Sequence, residues 1–108
     1  MKITAIDLYL LSLPLRTPIR FETVPFSTDP CEWSRLETVL VRLWSGGAYG
    51  WGEACPGNGP FWSAEWAGAI FYCLRDWLAP RLIGREYATP EELHERVAVF
   101  RGWRAAQA

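Results

Sequence analysis

The run Tyr49-Gly50-Trp51-Gly52-Glu53-Ala54 is entered from Ser45-Gly46-Gly47-Ala48 and left through Cys55-Pro56-Gly57-Asn58-Gly59-Pro60-Phe61-Trp62-Ser63. It constrains the fold more than any other part of the chain. Two adjacent glycines between alternating apolar runs make a tight hairpin, so residues 49–54 read as a short strand antiparallel to the segment before them. That strand empties into a breaker-rich loop, and Ser63 offers a hydroxyl to N-cap an amphipathic helix. The preceding strand is equally plain. Over residues 37–44, Val39, Val41 and Leu43 fall on one face and Thr38, Leu40, Arg42 and Trp44 on the other, the alternation of a half-buried strand. Residues 2–15 read as a long first strand, largely apolar on both faces, whose regular pairing ends at Pro14. The expected fold is therefore α+β: a three-stranded antiparallel meander followed by a packed helical region.

After Ser63, the residues Trp66, Ala69, Ile70, Cys73, Trp77 and Leu78 recur at helical period and form the stripe expected to pack on the sheet. Pro80 disturbs that helix and Gly84 closes it. Thr89-Pro90-Glu91-Glu92 opens the next helix, with Thr at N-cap, Pro at N1 and Glu at N3, and Leu93, Val97 and Phe100 supply its buried face. His94 lies off that face beside Glu91 and Glu95, the place of a solvated side chain rather than a general base. Gly102 punctuates, and residues 103–108 read as the first turns of a truncated helix, too short to hold itself unaided. The domain itself is expected over residues 1–102.

A chain of 108 residues has room for one core. Lys+Arg 11 against Asp+Glu 12, with no local basic cluster, argues against a nucleic-acid partner. The apolar run at residues 8–11 is too short for a membrane span or a secretory leader, so a cytoplasmic protein with no membrane contact is expected. Cys31, Cys55 and Cys73 are odd in number and widely spaced, and His94 is the single histidine; neither a disulfide framework nor a zinc site is encoded. Seven tryptophans are more than so small a core can cover, which points to a partner surface.

Residues 16–36 carry Pro18, Pro25 and Pro30 and no periodic pattern, which reads as a long loop. Phe21 and Phe26 lie within it, and two readings stay open: the loop covers a ligand, or it is disordered or packs its rings back on the sheet. No phosphate loop is present, because Gly57-Asn58-Gly59 precedes Pro60 rather than a Lys-Ser/Thr pair, and no Ser/His/Asp arrangement stands at a nucleophile turn. Glu53 is a lone carboxylate at a strand end, read as a structural acceptor for loop amides. Any chemistry must come from outside these residues.

The Gly50-Trp51-Gly52-Glu53 strand, the opening Met1-Lys2-Ile3-Thr4-Ala5-Ile6 and the stretch Leu74-Arg75-Asp76-Trp77-Leu78-Ala79-Pro80-Arg81-Leu82-Ile83-Gly84 resemble the N-terminal capping domain of the enolase superfamily, in its mandelate racemase/muconate-lactonizing branch. Gly59-Pro60-Phe61-Trp62-Ser63-Ala64-Glu65-Trp66 and Leu78-Ala79-Pro80 are most similar to the o-succinylbenzoate synthase / N-acylamino acid racemase group. The resemblance spans the whole chain and implies a (β/α)8 barrel in cis, absent from these residues. Barrel lysines would move a proton alpha to the carboxylate of a small substrate, and Mg²⁺ held by barrel carboxylates would stabilise the enediolate. The complete enzyme would be a homo-oligomer. This chain would hold neither catalytic residue nor metal ligand and would show no turnover alone. Its part, by the same resemblance, is to close two loops over the barrel mouth, at residues 19–26 and 55–62, with Ile19, Phe21, Phe26, Gly57 and Trp62 meeting the substrate. The residue after the proline at position 18 is commonly Phe in that group and is Ile19 here, and the first loop is longer. Two other readings stand beside this one: a stand-alone α+β binding module, and an interaction domain docking through its tryptophans.

Overall fold

Three strands, β1 (Ala5–Phe21), β2 (Cys31–Ser45) and β3 (Ala48–Ala54), form one antiparallel sheet in chain order. The structure, a computed structural model, describes residues 1–21, 31–61 and 63–108, with Cys31 through its backbone only. Ser45 pairs with Ala48 around Gly46-Gly47, and only the first of these glycines has a positive φ, 60°, the pattern of a type II′ hairpin turn. The expected meander is present.

The first two strands run further than their sequence suggested. Residues 16–36 do not form one long loop: β1 continues to Phe21 and β2 starts at Cys31, with Ile19 opposite Trp33 and Phe21 opposite Cys31. What looked like a break is a bulge. Between the pairs Pro14–Arg35 and Ile19–Trp33, four residues of β1 face Ser34 alone. β1 lies at the edge of the sheet, where prolines are tolerated. The distal half of this hairpin projects as an arm. The radius of gyration is accordingly 16.1 Å, against about 13 Å for a compact domain of this length.

The helical layer follows as α1 (Ala67–Cys73), a π-helical turn (Leu74–Leu78) and α2 (Ala79–Leu82), then α3 (Pro90–Val97) and α4 (Arg104–Gln107). Ser63 does not cap α1. The cap position is Trp66, in extended backbone without a side-chain bond, while the Ser63 hydroxyl accepts the Glu65 N–H two residues on at 3.3 Å, a local turn. Pro80 has no N–H for the Asp76 carbonyl and its ring crowds that turn, which accounts for the π-helical widening just ahead of it. The buried stripe is shifted as a result. Ala67, Ile70, Cys73, Leu74, Leu78 and Leu82 face the sheet, whereas Trp66 and Trp77, expected in that stripe, are 40% and 62% exposed.

Gly84, at φ 82°, closes the segment and donates its N–H to the Ile3 carbonyl at 2.7 Å. Ile3 N–H in turn donates to Arg85, and Tyr87 N–H to Met1, so residues 84–87 line up antiparallel to residues 1–3 and bury Ile3 and Tyr87. Thr89 caps α3 as expected, its hydroxyl accepting from Glu92 N–H at 3.3 Å. The Glu92 carboxylate reaches back to Ala88 N–H at 2.8 Å, one residue before the usual partner of a capping box. α4 is held from outside: the Glu65 carboxylate accepts Ala105 N–H at 3.2 Å, placing a negative charge at that helix start.

The two faces of the sheet differ in character. Towards the helices, Ile6, Leu8, Val39 and Val41 pack on the helical stripe, while β3 offers only Gly50, Gly52 and Ala54. An apolar groove of 330 Å³ opens there, between Leu43, Leu74, Leu78, Leu93 and Ala106. On the opposite face Arg42 is enclosed by aromatic rings. Its guanidinium lies 4.8 Å from the Trp44 ring, 5.0 Å from Trp51 and 5.8–5.9 Å from Tyr49 and Tyr9. Asp7 accepts from Arg42 Nε and Nη2 at 2.9 and 2.8 Å and from the Trp44 indole N–H at 2.8 Å. The indole bond, then the guanidinium, hold the Asp7 carboxyl below its ordinary value of 3.8.

Candidate recognition groove

The arm and the loop after β3 meet over one ring. Trp33 stands in the β2 row of Arg35, Glu37 and Val39 by the strand's period of two, and Ile19 is its cross-strand partner. The Phe21 ring meets Trp33 edge-on with centroids 5.0 Å apart. Arg20 and Glu32 pair at 3.3 Å on the other side, exposed to water. Ile19 remains 43% exposed, so this part of the arm presents apolar surface.

Gly57 lies against Trp33. A Cβ at this position would sit 2.5 Å from Trp33 Cη2, and φ there is 88°, so both the space and the backbone require glycine. The next residue works through its side chain. The ladder between β2 and β3 ends at Val39–Ala54, and beyond it Asn58 Oδ1 accepts Glu37 N–H at 2.8 Å while Asn58 Nδ2 donates to the Arg35 carbonyl. One side-chain amide thus replaces a missing stretch of strand. Arg35 extends the connection to β1, donating to the Ser12 hydroxyl at 2.8 Å and the Ser12 carbonyl at 2.7 Å. Gly59, with φ 70°, folds back under the Phe61 ring.

Between these elements runs an open groove of 680 Å³, walled by Trp33, Phe61 and Trp66 with Arg35, Glu37 and Asn58 along it. Three aromatic rings beside the polar side chains of Glu32, Ser34, Arg35, Glu37 and Asn58 make it a mixed surface on which an organic ligand could be recognised. The apolar groove between sheet and helices lacks converging polar groups and reads as slack in the core. Glu53 is a structural acceptor, though for a buried hydroxyl rather than loop amides: Thr38 Oγ1 donates to it at 2.8 Å. His94 is exposed on α3. Among the described residues no three His, Cys, Asp or Glu side chains cluster as a metal site, and none of the helices is long and apolar enough to cross a membrane. Cys55 and Cys73 are free thiols; burial, then the Glu65 charge, push the Cys73 thiol up.

Of the side chains expected to meet a ligand, Ile19, Phe21 and Gly57 are brought together around Trp33. Phe26 and Trp62 lie outside the described residues. Trp33, Asn58, Phe61 and Trp66 were not singled out from sequence as site residues. The alternation that identified Val39 as inward-facing, carried back along β2, would have placed Trp33 in the same row.

A meander with a helical layer on one face and an aromatic-walled groove between its arm and the loop after β3 defines an α+β domain with a candidate recognition surface. Comparison with known proteins gives it a family. No protein-family model matches the chain. The chain is 35% identical over 102 residues to the N-succinylamino acid racemase of Thermus thermophilus, covering 94% of this chain and 26% of that protein. It is 29% identical over 109 residues to the o-succinylbenzoate synthase of Bacillus subtilis, covering 99% and 27% respectively. Among solved structures, an enolase-superfamily member from Listeria innocua superposes with a TM-score of 0.83 at 25% identity, over 100% of this chain and 28% of that one. The chain belongs to the enolase superfamily, in its mandelate racemase/muconate-lactonizing branch, and corresponds to the N-terminal capping domain. It spans about a quarter of the length of the curated relatives it matches.

Proposed function

We propose that this domain caps the active site of an enolase-superfamily enzyme of the o-succinylbenzoate synthase / N-acylamino acid racemase kind and selects its substrate. The observation that carries this reading is the seating of Trp33 on Gly57, which gathers the arm and the post-β3 loop around one aromatic groove. Ile19, Phe21, Phe26, Gly57 and Trp62 are the substrate-facing residues. The reaction is proton abstraction alpha to a carboxylate, carried out by a (β/α)8 barrel in cis. Mg²⁺ bound by the barrel would supply charge stabilisation of the enediolate. The contribution of this chain is exclusion of water and apolar contact with the distal part of the substrate. Residues 1–102 make up the capping unit, and residues 103–108 lead towards the barrel.

The test is a fusion of this chain to the barrel of a relative, with kcat/KM measured across N-succinylamino acids that differ in side chain. Ile19→Ala should compress the preference among side chains by roughly 10–200-fold, corresponding to about 1–3 kcal/mol for an apolar pocket contact, with metal affinity unchanged. An unaltered preference series, or a shift in Mg²⁺ affinity as large as the shift in preference, refutes the assignment.

A further inference from the structure

We propose that Asn58 is a positioning residue that fuses the arm of β1 and β2 with the 55–61 loop into a single body. The two walls of the groove then keep a fixed spacing instead of moving independently. Three contacts, made by different chemistry, converge on this. The Asn58 amide satisfies both Glu37 N–H and the Arg35 carbonyl, backbone groups on β2 that β3 no longer reaches. Trp33 occupies the space a side chain at position 57 would need, so its ring and the loop backbone are in direct contact. Arg35 ties the same stretch of β2 to Ser12, carrying the connection across to β1.

A loop joined to β2 by one hydrogen bond would swing about it. A loop held by a two-point amide, with an indole wedged beside it, has no free axis. The amide also suits this position chemically, because only a side chain with one donor and one acceptor at that reach can serve a carbonyl and an N–H two residues apart on one strand. Phe61 ends that loop and lines the groove together with Trp33, so fastening the loop to β2 also holds these two rings relative to each other although the role of Asn58 itself is backbone pairing. The consequence for substrate choice rests on the capping-domain reading; the clamp itself does not.

The experiment is residue-resolved amide hydrogen exchange on the 108-residue chain, without ligand, so that its failure is separable from failure of the substrate assignment. In Asn58→Ala, Glu37 N–H should exchange about fivefold faster or more, as expected for the loss of a hydrogen bond with a net contribution of about 1 kcal/mol. Amides at 31–36 and 56–61 should accelerate together, while those of Ile70, Leu78 and Leu82 keep their protection. Asn58→Asp, which retains the acceptor, should restore Glu37. Gly57→Ala should loosen the same two segments with Asn58 intact, because its Cβ displaces Trp33. The proposal is overturned if Asn58→Ala accelerates 56–61 but leaves 31–36 unchanged, if Glu37 does not respond, or if both variants accelerate the helical amides equally.

Discussion

Substituting Leu78 and Trp77 in turn tests whether the π-helical turn sets the face that the helical layer presents to the sheet. In an uninterrupted α-helix the stripe through Trp66, Ile70 and Cys73 continues to Trp77 and Leu78; with the π-helical turn, Trp77 faces outward and Leu74, Leu78 and Leu82 carry the core contact. Leu78 is 2% exposed and Trp77 62%. Leu78→Ala removes the equivalent of three methylene groups, about 2.4 kcal/mol at ~0.8 kcal/mol each. The space left beside the existing 330 Å³ groove adds a cavity term, giving about 3 kcal/mol within the measured range for such truncations. For a domain of this size that lowers the melting midpoint by roughly 12–24 °C. Trp77→Ala loses one edge contact with Phe100, centroids 6.4 Å apart, and otherwise exposed surface, so its cost stays below about 1 kcal/mol. Urea and thermal unfolding, followed by circular dichroism and fluorescence together to verify a two-state transition, measure both. A Trp77→Ala cost equal to that of Leu78→Ala would refute the shifted stripe.

The Asp7 carboxyl is held below 3.8 in the folded chain, so its contribution to stability is fully present above that value and is lost as pH falls through 3.8 towards the folded pKa. Asp7→Asn should accordingly lower the unfolding midpoint at neutral pH, with the gap to the parent closing below pH 3.8; a gap constant across that window counts against the pairing. Thr89→Ala should cost about 1 kcal/mol in urea unfolding through loss of the α3 cap, and Thr89→Ser should recover most of it. Gly50→Ala meets nothing within 4 Å and should raise stability by about 0.4–1 kcal/mol, read from the same denaturation curves.

Features governed by a few adjacent residues were legible in the sequence. The Gly46-Gly47 hairpin, the Thr89 cap and the Gly84 stop follow from local φ preferences and one-turn hydrogen bonds, and the inward row Val39, Val41 and Leu43 follows from strand alternation. Pairing that resumes after an interruption was not legible. Pro14 precedes a bulge that ends with Pro18, and a period-two search loses phase across its four unmatched residues, so 16–36 read as a loop although its ends are strand. Ser63 is equally instructive: its hydroxyl does find an amide, but two residues on, and the helix starts beyond it. The candidate site was half visible. Ile19, Phe21 and Gly57 stood out through loop composition and family likeness, whereas Asn58 acts on backbone groups 21 and 23 residues away, a pairing no local pattern encodes.

The bare inner face of β3 has a mechanical consequence. Because Gly50 and Gly52 carry no side chains and open space lies over them, the helical layer has nothing to interlock with along that edge of the sheet. On the opposite face Arg42 is boxed by four rings, and the 55–61 loop is fastened to β2 through Asn58. That edge of the sheet is therefore held by its backbone ladder and by the Arg42 box on the other face rather than by interlocking side chains under the helices.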